Sequence, residues 1–153
     1  MGLSRLHLGA FILLLIGCGG SAPDSTSSAG SAAGAGKTLK IAVIPKGTTH
    51  VFWKSIHAGA AKAAQELGVE IIWQGPQRED DRNLQIQVVQ NSISRGVDAI
   101  VLAPLDENAL VRPVEAAAER GIKVVIIDSG IKTDAYESFV ATDNYAGGKL
   151  CAK

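Results

Sequence analysis

The sequence predicts an α/β fold, a doubly wound parallel sheet with strand order 2-1-3-4-5. Three observations carry that prediction. Short apolar runs of strand length recur between residues 39 and 141. Stretches with helical apolar spacing separate them. Glycine closes three of those stretches, at Gly68, Gly96 and Gly121, as a helix C-terminus favours. Apolar strands alternating with amphipathic helices imply a parallel sheet covered on both faces.

Each element follows in turn. Leu39 to Ile44 is a buried strand ended by Pro45. Phe52, Ile56, Ala60, Ala63, Ala64 and Leu67 fall near helical spacing and predict a helix over 52–67. Glu70 to Trp73 is the second strand, before Gly75-Pro76. The second helix covers 81–95, with Leu84, Ile86, Val88, Val89 and Ile93 apolar. Asp98 to Leu102 is the third strand, and Pro104 follows. Asp106 is expected to cap the third helix, which runs to Arg120. Pro113 inside it is expected to kink or delay its regular part. Lys123 to Ile127 is a β-branched fourth strand ending at Asp128, and Ser138 to Ala141 a short fifth. Asp143 or Asn144 caps a final helix.

The first 38 residues do not read as fold. Arg5 precedes an apolar run from Leu6 to Ile16, as in a secretory signal. That run ends in Leu15-Ile16-Gly17-Cys18, which resembles the bacterial lipobox. Residues 1–17 are therefore expected to be a lipoprotein signal peptide, and Cys18 the lipidated first residue of the mature chain. Residues 19–36 are almost all Gly, Ser and Ala, so 18–38 is expected to be a flexible tether. Gly36-Lys37-Thr38 mimics the end of a phosphate-binding loop. Ser31 stands where that motif needs glycine, and the tripeptide precedes a strand instead of opening a helix.

Composition narrows the function. The 153 residues carry fifteen basic and fifteen acidic side chains, with 5% aromatics. That balance argues against a nucleic-acid partner, which favours a basic excess. No apolar run reaches the roughly 20 residues of a membrane span. Two cysteines exclude a disulfide-rich scaffold and a four-cysteine zinc site. His50 and His57 lack a third histidine in the fold, so no metal is expected. No Gly-x-Ser-x-Gly elbow, reachable Cys/His pair or phosphate-binding glycine loop appears, so no catalytic residue and no cofactor is assigned.

In a parallel sheet of this kind ligands bind beyond the carboxyl ends of the strands. The loop after the first strand offers Lys46, Thr48, Thr49, His50, Phe52 and Trp53. The fourth strand delivers Asp128 and Ser129, and Asp143 and Asn144 follow the fifth. Hydrogen-bonding groups beside aromatic faces suit a small polyhydroxylated ligand. Phe52 or Trp53 also fits as the first core residue of its helix, and Asp128 as a strand-end cap. The run Arg78 to Arg82 reads as a solvated helix start, its acids favouring the N-terminal dipole.

Four segments, KIAVIPKGTTHVFWKSIHAGAAKAAQELGVEI, GVDAIVLAP, GIKVVIIDSG and FVATDNYAGGK, resemble bacterial periplasmic sugar-binding proteins of the ribose-binding type, the receptors of ABC importers. The resemblance implies two α/β lobes closing on a sugar. Phe52 and Trp53 stand where the family stacks aromatics on the ring, and Asp128 where it binds hydroxyls. Lys46 and His50 stand at polar contact positions, and Ser129 follows Asp128 where arginine is common. Ala141 to Asn144 match the first hinge crossing. Residues 39–143 would then be the N-terminal lobe and 144–153 the start of a second lobe, in a fragment of a longer receptor. The implied partners are a sugar, an ABC importer permease and a membrane reached through the lipid anchor alone, in the periplasm of the cell envelope. Two other readings fit the same sequence: an envelope sensor presenting its ligand to a signalling protein, and a small flavodoxin-like α/β enzyme.

Overall fold

The computed structural model describes residues 37–153. The signal peptide, Cys18 and nearly all of the tether lie outside the described residues. Nine elements follow in order: β1 Lys40–Ile44, α1 Val51–Leu67, β2 Glu70–Trp73, α2 Arg82–Ser94, β3 Ala99–Leu102, α3 Val111–Glu119, β4 Lys123–Ile127, β5 Ser138–Val140 and α4 Asn144–Cys151. The five strands form one sheet in the order β2-β1-β3-β4-β5, every pair parallel. The chain steps from β1 to β2 in one direction and from β2 through β3 to β4 in the other. Right-handed crossovers therefore put α1 on one face and α2 and α3 on the other.

The α2/α3 face holds the continuous core. Ala42, Ile44, Ile100, Leu102, Val124 and Ile126 point there from three neighbouring strands, against Val88, Val89 and Ile93 of α2 and Val114 and Ala117 of α3. The two-residue period of the strands produces this: in β3 and β4 every second residue is buried, and its neighbours are half-buried or, at Lys123, exposed. On the other face Val43 and Trp53 are buried, while Ile41, Val101, Val125 and Ile127 are half-buried.

Caps set the helix ends. The His50 imidazole accepts the Phe52 amide N–H at 3.2 Å and starts α1 one residue before the expected position. Gly68 ends it at φ 65°, where a Cβ would be strained. Asp81 caps α2 through the Leu84 amide at 2.9 Å. Asp106 departs from expectation. Its carboxylate accepts the Asn108 and Ala109 amides at 2.9 and 2.7 Å, so it caps the turn before α3, and the regular helix begins at Val111. Pro113 then falls in the first helical turn, where an N–H has no intrahelical partner to lose. Of the two candidates for α4, Asp143 is the cap, accepting the Ala146 amide at 2.8 Å.

Candidate functional site

The carboxyl ends of β1 and β4 bring two loops together. Lys46 leaves β1 after Pro45, and its ammonium lies 2.7 Å from Asp128 Oδ2. It also donates to Ser129 Oγ at 2.5 Å, and that hydroxyl donates to Asp128 Oδ2 at 3.1 Å. The three side chains close a small ring of charge-assisted hydrogen bonds.

Asp128 has the one positive φ, 67°, among described non-glycine residues. The Ser129 amide donates to Ile127 O at 2.7 Å, closing a three-residue turn around Asp128. A turn with positive φ at its centre is the rarer, strained form. The Asp128 amide stays in the sheet by donating to Val140 O at 3.0 Å. Strain of this kind persists where surrounding structure over-determines it, often at ligand sites.

The aromatic pair divides its roles. Trp53 is 2% exposed, whereas Phe52 is 45% exposed and meets it edge-on at 4.9 Å between centroids. The Trp53 indole N–H donates to Glu79 Oε1 at 2.7 Å. His50 uses Nδ1 to accept the Phe52 amide, so its own ring proton sits on Nε2, a free donor. Lys46, His50, Phe52, Trp53, Glu79 and Asp128 line one cavity of about 430 Å³. A second, of about 440 Å³, shares Phe52, Trp53 and Asp128 and extends to Val140, Ala141 and Thr142. Ala141 therefore reaches a cavity wall, Asp143 is occupied as the α4 cap, and Asn144 is exposed as the first residue of that helix. His57 stacks on Trp73 at 4.4 Å, away from this group.

Two residues escaped the sequence reading. Glu79 belongs to the acidic run read as solvated, yet it holds Trp53 and lines the cavity. Gln85 is fully buried in α2. Its Nε2 donates to Pro45 O at 3.1 Å and Ala103 O at 2.8 Å, and its Oε1 accepts the Leu105 amide at 2.9 Å. One amide thus ties the loop carrying Lys46 to the loop after β3. α2 carries three glutamines, Gln85, Gln87 and Gln90, and only Gln85 falls three and four residues before the buried Val88 and Val89, the one sequence signal that sets it apart. The carboxylates held below their usual range, Asp98 and Asp106, lie outside the cavity.

The comparisons with known proteins fall on this same segment. Residues 41–153 match the family described as periplasmic binding protein domain. The chain belongs to that family. This periplasmic binding protein domain is 30% identical over 141 residues to the ribose import binding protein RbsB of Bacillus subtilis, covering 92% of this chain and 45% of that one. Its fold superposes with TM-score 0.71 and 39% identity on a carbohydrate transporter solute binding protein from Agrobacterium radiobacter in complex with D-arabinose, covering 76% of this chain and 39% of that one. An ABC transporter solute binding protein from Agrobacterium vitis with bound D-fucose gives TM-score 0.69 at 44% identity, covering 74% and 40%. The domain spans under half the length of these relatives. All three are binding proteins, not enzymes.

Proposed function

We propose that this domain captures a neutral sugar or similar polyol in the cell envelope and hands it to an ABC importer permease. The observation that carries the reading is one cavity lined together by Lys46, His50, Phe52, Trp53 and Asp128, drawn from the β1–α1 loop, the first turn of α1 and the end of β4. A sugar fits these groups by its own chemistry. Vicinal hydroxyls donate to the Asp128 carboxylate and accept from Lys46 and from His50 Nε2. The exposed ring of Phe52 covers a C–H face, with Trp53 bracing it from below. Ser129 holds the Lys46 ammonium against Asp128 while the cavity is open. A relative named for ribose and two solved with bound D-arabinose and D-fucose support a monosaccharide.

The same reading takes Cys18 as the lipid attachment site after removal of residues 1–17, with the segment to 38 as a tether. It takes 39–143 as one lobe, Ala141, Asp143 and Asn144 as a hinge, and 144 onward as the start of a second lobe. Mass spectrometry of the mature N-terminus in a bacterial host tests the anchor: a chain beginning elsewhere, or an unmodified Cys18, refutes it. NMR titration of the soluble chain from residue 19 with D-fucose, D-arabinose, D-ribose and D-allose tests the binding function. Saturable shifts at residues 46–53 and 128–129 without chemical change of the sugar are expected. Turnover of the sugar, or no shift with any of the four, overturns it.

A further inference from the structure

The charges around the cavity do not cancel. The Lys46 ammonium is already matched by Asp128 at 2.7 Å and hydrogen-bonded to Ser129. Glu79 uses Oε1 to hold the Trp53 indole, and no cation pairs with it among the described residues. The nearby Arg78 is paired with Asp80, and Arg82 with Asp106 at 3.0 Å. His50 has its Nδ1 occupied by the Phe52 backbone N–H. One ammonium therefore faces two carboxylates across the cavity.

The first loop is built around this arrangement. A Cβ at Gly47 would stand 2.9 Å from Glu79 Cγ, so glycine there lets the glutamate lie over the loop. The indole bond then fixes which oxygen is occupied and leaves Oε2 as the spare acceptor.

We propose that Glu79 contacts the ligand and sets its charge class. The cavity takes an uncharged or ammonium-bearing polyol and rejects uronates and sugar phosphates. The proposal rests on the sugar-binding reading and deepens it. A carboxylate or phosphate entering the cavity meets Glu79 with no free cation to offset it. An ammonium gains the same partner. Glu79 is exposed, so the discrimination is modest and screened by salt.

Three pyranoses of one ring configuration, matching that of D-fucose, vary the charge: D-galactose is neutral, D-galactosamine carries an ammonium in place of the 2-hydroxyl, and D-galacturonate carries a carboxylate at C6; comparison of each between wild type and Glu79→Gln separates the charge from the lost hydroxyl. Each is titrated by NMR into the soluble chain from residue 19 at pH 7 and low ionic strength. Galacturonate is expected to bind at least about threefold more weakly than galactose, and galactosamine more tightly, as a single charge pair at partly solvated distance implies. Glu79→Gln keeps an acceptor for the Trp53 N–H, so the fold is retained while the charge is lost. In that variant the three affinities should converge, and in 0.5 M salt the wild-type ranking should flatten in the same direction. Galacturonate binding as tightly as galactose overturns the role of Glu79, as does a ranking that survives Glu79→Gln. If none of the three shifts any residue of the cavity, the sugar reading itself falls and takes this proposal with it. If galactose binds and only the ranking fails, the sugar reading stands and the proposal alone is wrong.

Discussion

The Lys46 ammonium lies 2.7 Å from the Asp128 carboxylate, and Asp128 meets it from a backbone held at φ 67°. The left-handed turn after Ile127 aims the aspartate toward the β1 loop. Function and strain are thus located in one residue, and substitutions can separate them. Asp128→Gly removes the carboxylate and the steric cost of positive φ together. Asp128→Ala removes the carboxylate and keeps the cost. The alanine variant should be less stable than the glycine variant by about 1 kcal/mol, the penalty for a Cβ in this region. Both should lose roughly 1.5–3 kcal/mol of sugar affinity, the range for hydrogen bonds to a charged group. Urea unfolding and sugar titration on the pair measure the two effects. Equal stability of the two variants would show that the turn relaxes at no cost.

Gln85 is expected to matter more for stability than any other polar side chain of the core. Gln85→Met keeps the volume and leaves Pro45 O, Ala103 O and the Leu105 amide without their partner. Unsatisfied buried groups cost about 1–3 kcal/mol each when water cannot reach them. Pro45 and Ala103 are buried and only Leu105 is half-buried, so water can replace the lost partner at one of the three groups, and a total of about 2–4 kcal/mol is expected from urea denaturation. A loss below about 1 kcal/mol would mean that water replaces the amide.

Acid should weaken the fold through Asp98 and Asp106. The Lys37 ammonium, then the Lys40 amide, hold the Asp98 carboxyl below its ordinary value of 3.8. The Ala109 and Asn108 amides, then Arg82, do the same for Asp106. A carboxyl depressed in the folded state stabilises above its unfolded value, and that stabilisation is lost as pH falls from about 4 through the folded value. Thermal melts of wild type, Asp98→Asn and Asp106→Ala between pH 6 and pH 3 check this. Each variant should melt below wild type at pH 6 and approach it at pH 3. A constant gap across the series would show that the ionised form is not what stabilises.

Much of the fold was legible because its signals are local. The strands read directly from β-branched runs such as Lys123 to Ile127, and Gly68, Gly96 and Gly121 mark helix ends, each with positive φ. The start of α3 was not legible, because an aspartate that caps a turn looks the same in sequence as one that caps a helix. At the candidate site, the ends of β1 and β4 and the loop into α1 marked Lys46, Asp128, Phe52 and Trp53 in the sequence, and the fold brings these four to one cavity. Glu79 and Gln85 were not so marked. Their roles depend on which loop crosses which, and a charged run or a mid-helix amide has the same appearance in a solvated setting. The burial of Trp53 beneath Phe52 is likewise a product of packing, since adjacent aromatics at a helix start leave either one free to point inward.

The last helix should be the least protected part of the described chain. No residue of α4 is buried, and Tyr145, Leu150 and the free thiol of Cys151 are exposed. Its support is local: the Asp143 cap, worth about 1 kcal/mol, and the Lys149 ammonium 4.4 Å from the Tyr145 ring, worth about 0.5–1 kcal/mol. Gly147 and Gly148 each cost about 1 kcal/mol relative to alanine inside a helix and offset that support. So short a helix is marginal in water without packing. Hydrogen exchange on the chain from residue 19 should find amides 147–151 unprotected while Val124–Ile127 exchange slowly. A maleimide should label Cys151 as fast as a free thiol. A Cβ at either glycine meets nothing within 4 Å, so the double change Gly147→Ala, Gly148→Ala should add helicity by circular dichroism without altering the strands. Slow exchange of 147–151 in the wild-type chain, matching that of β4, would show instead that α4 docks on the sheet and draws its stability from it.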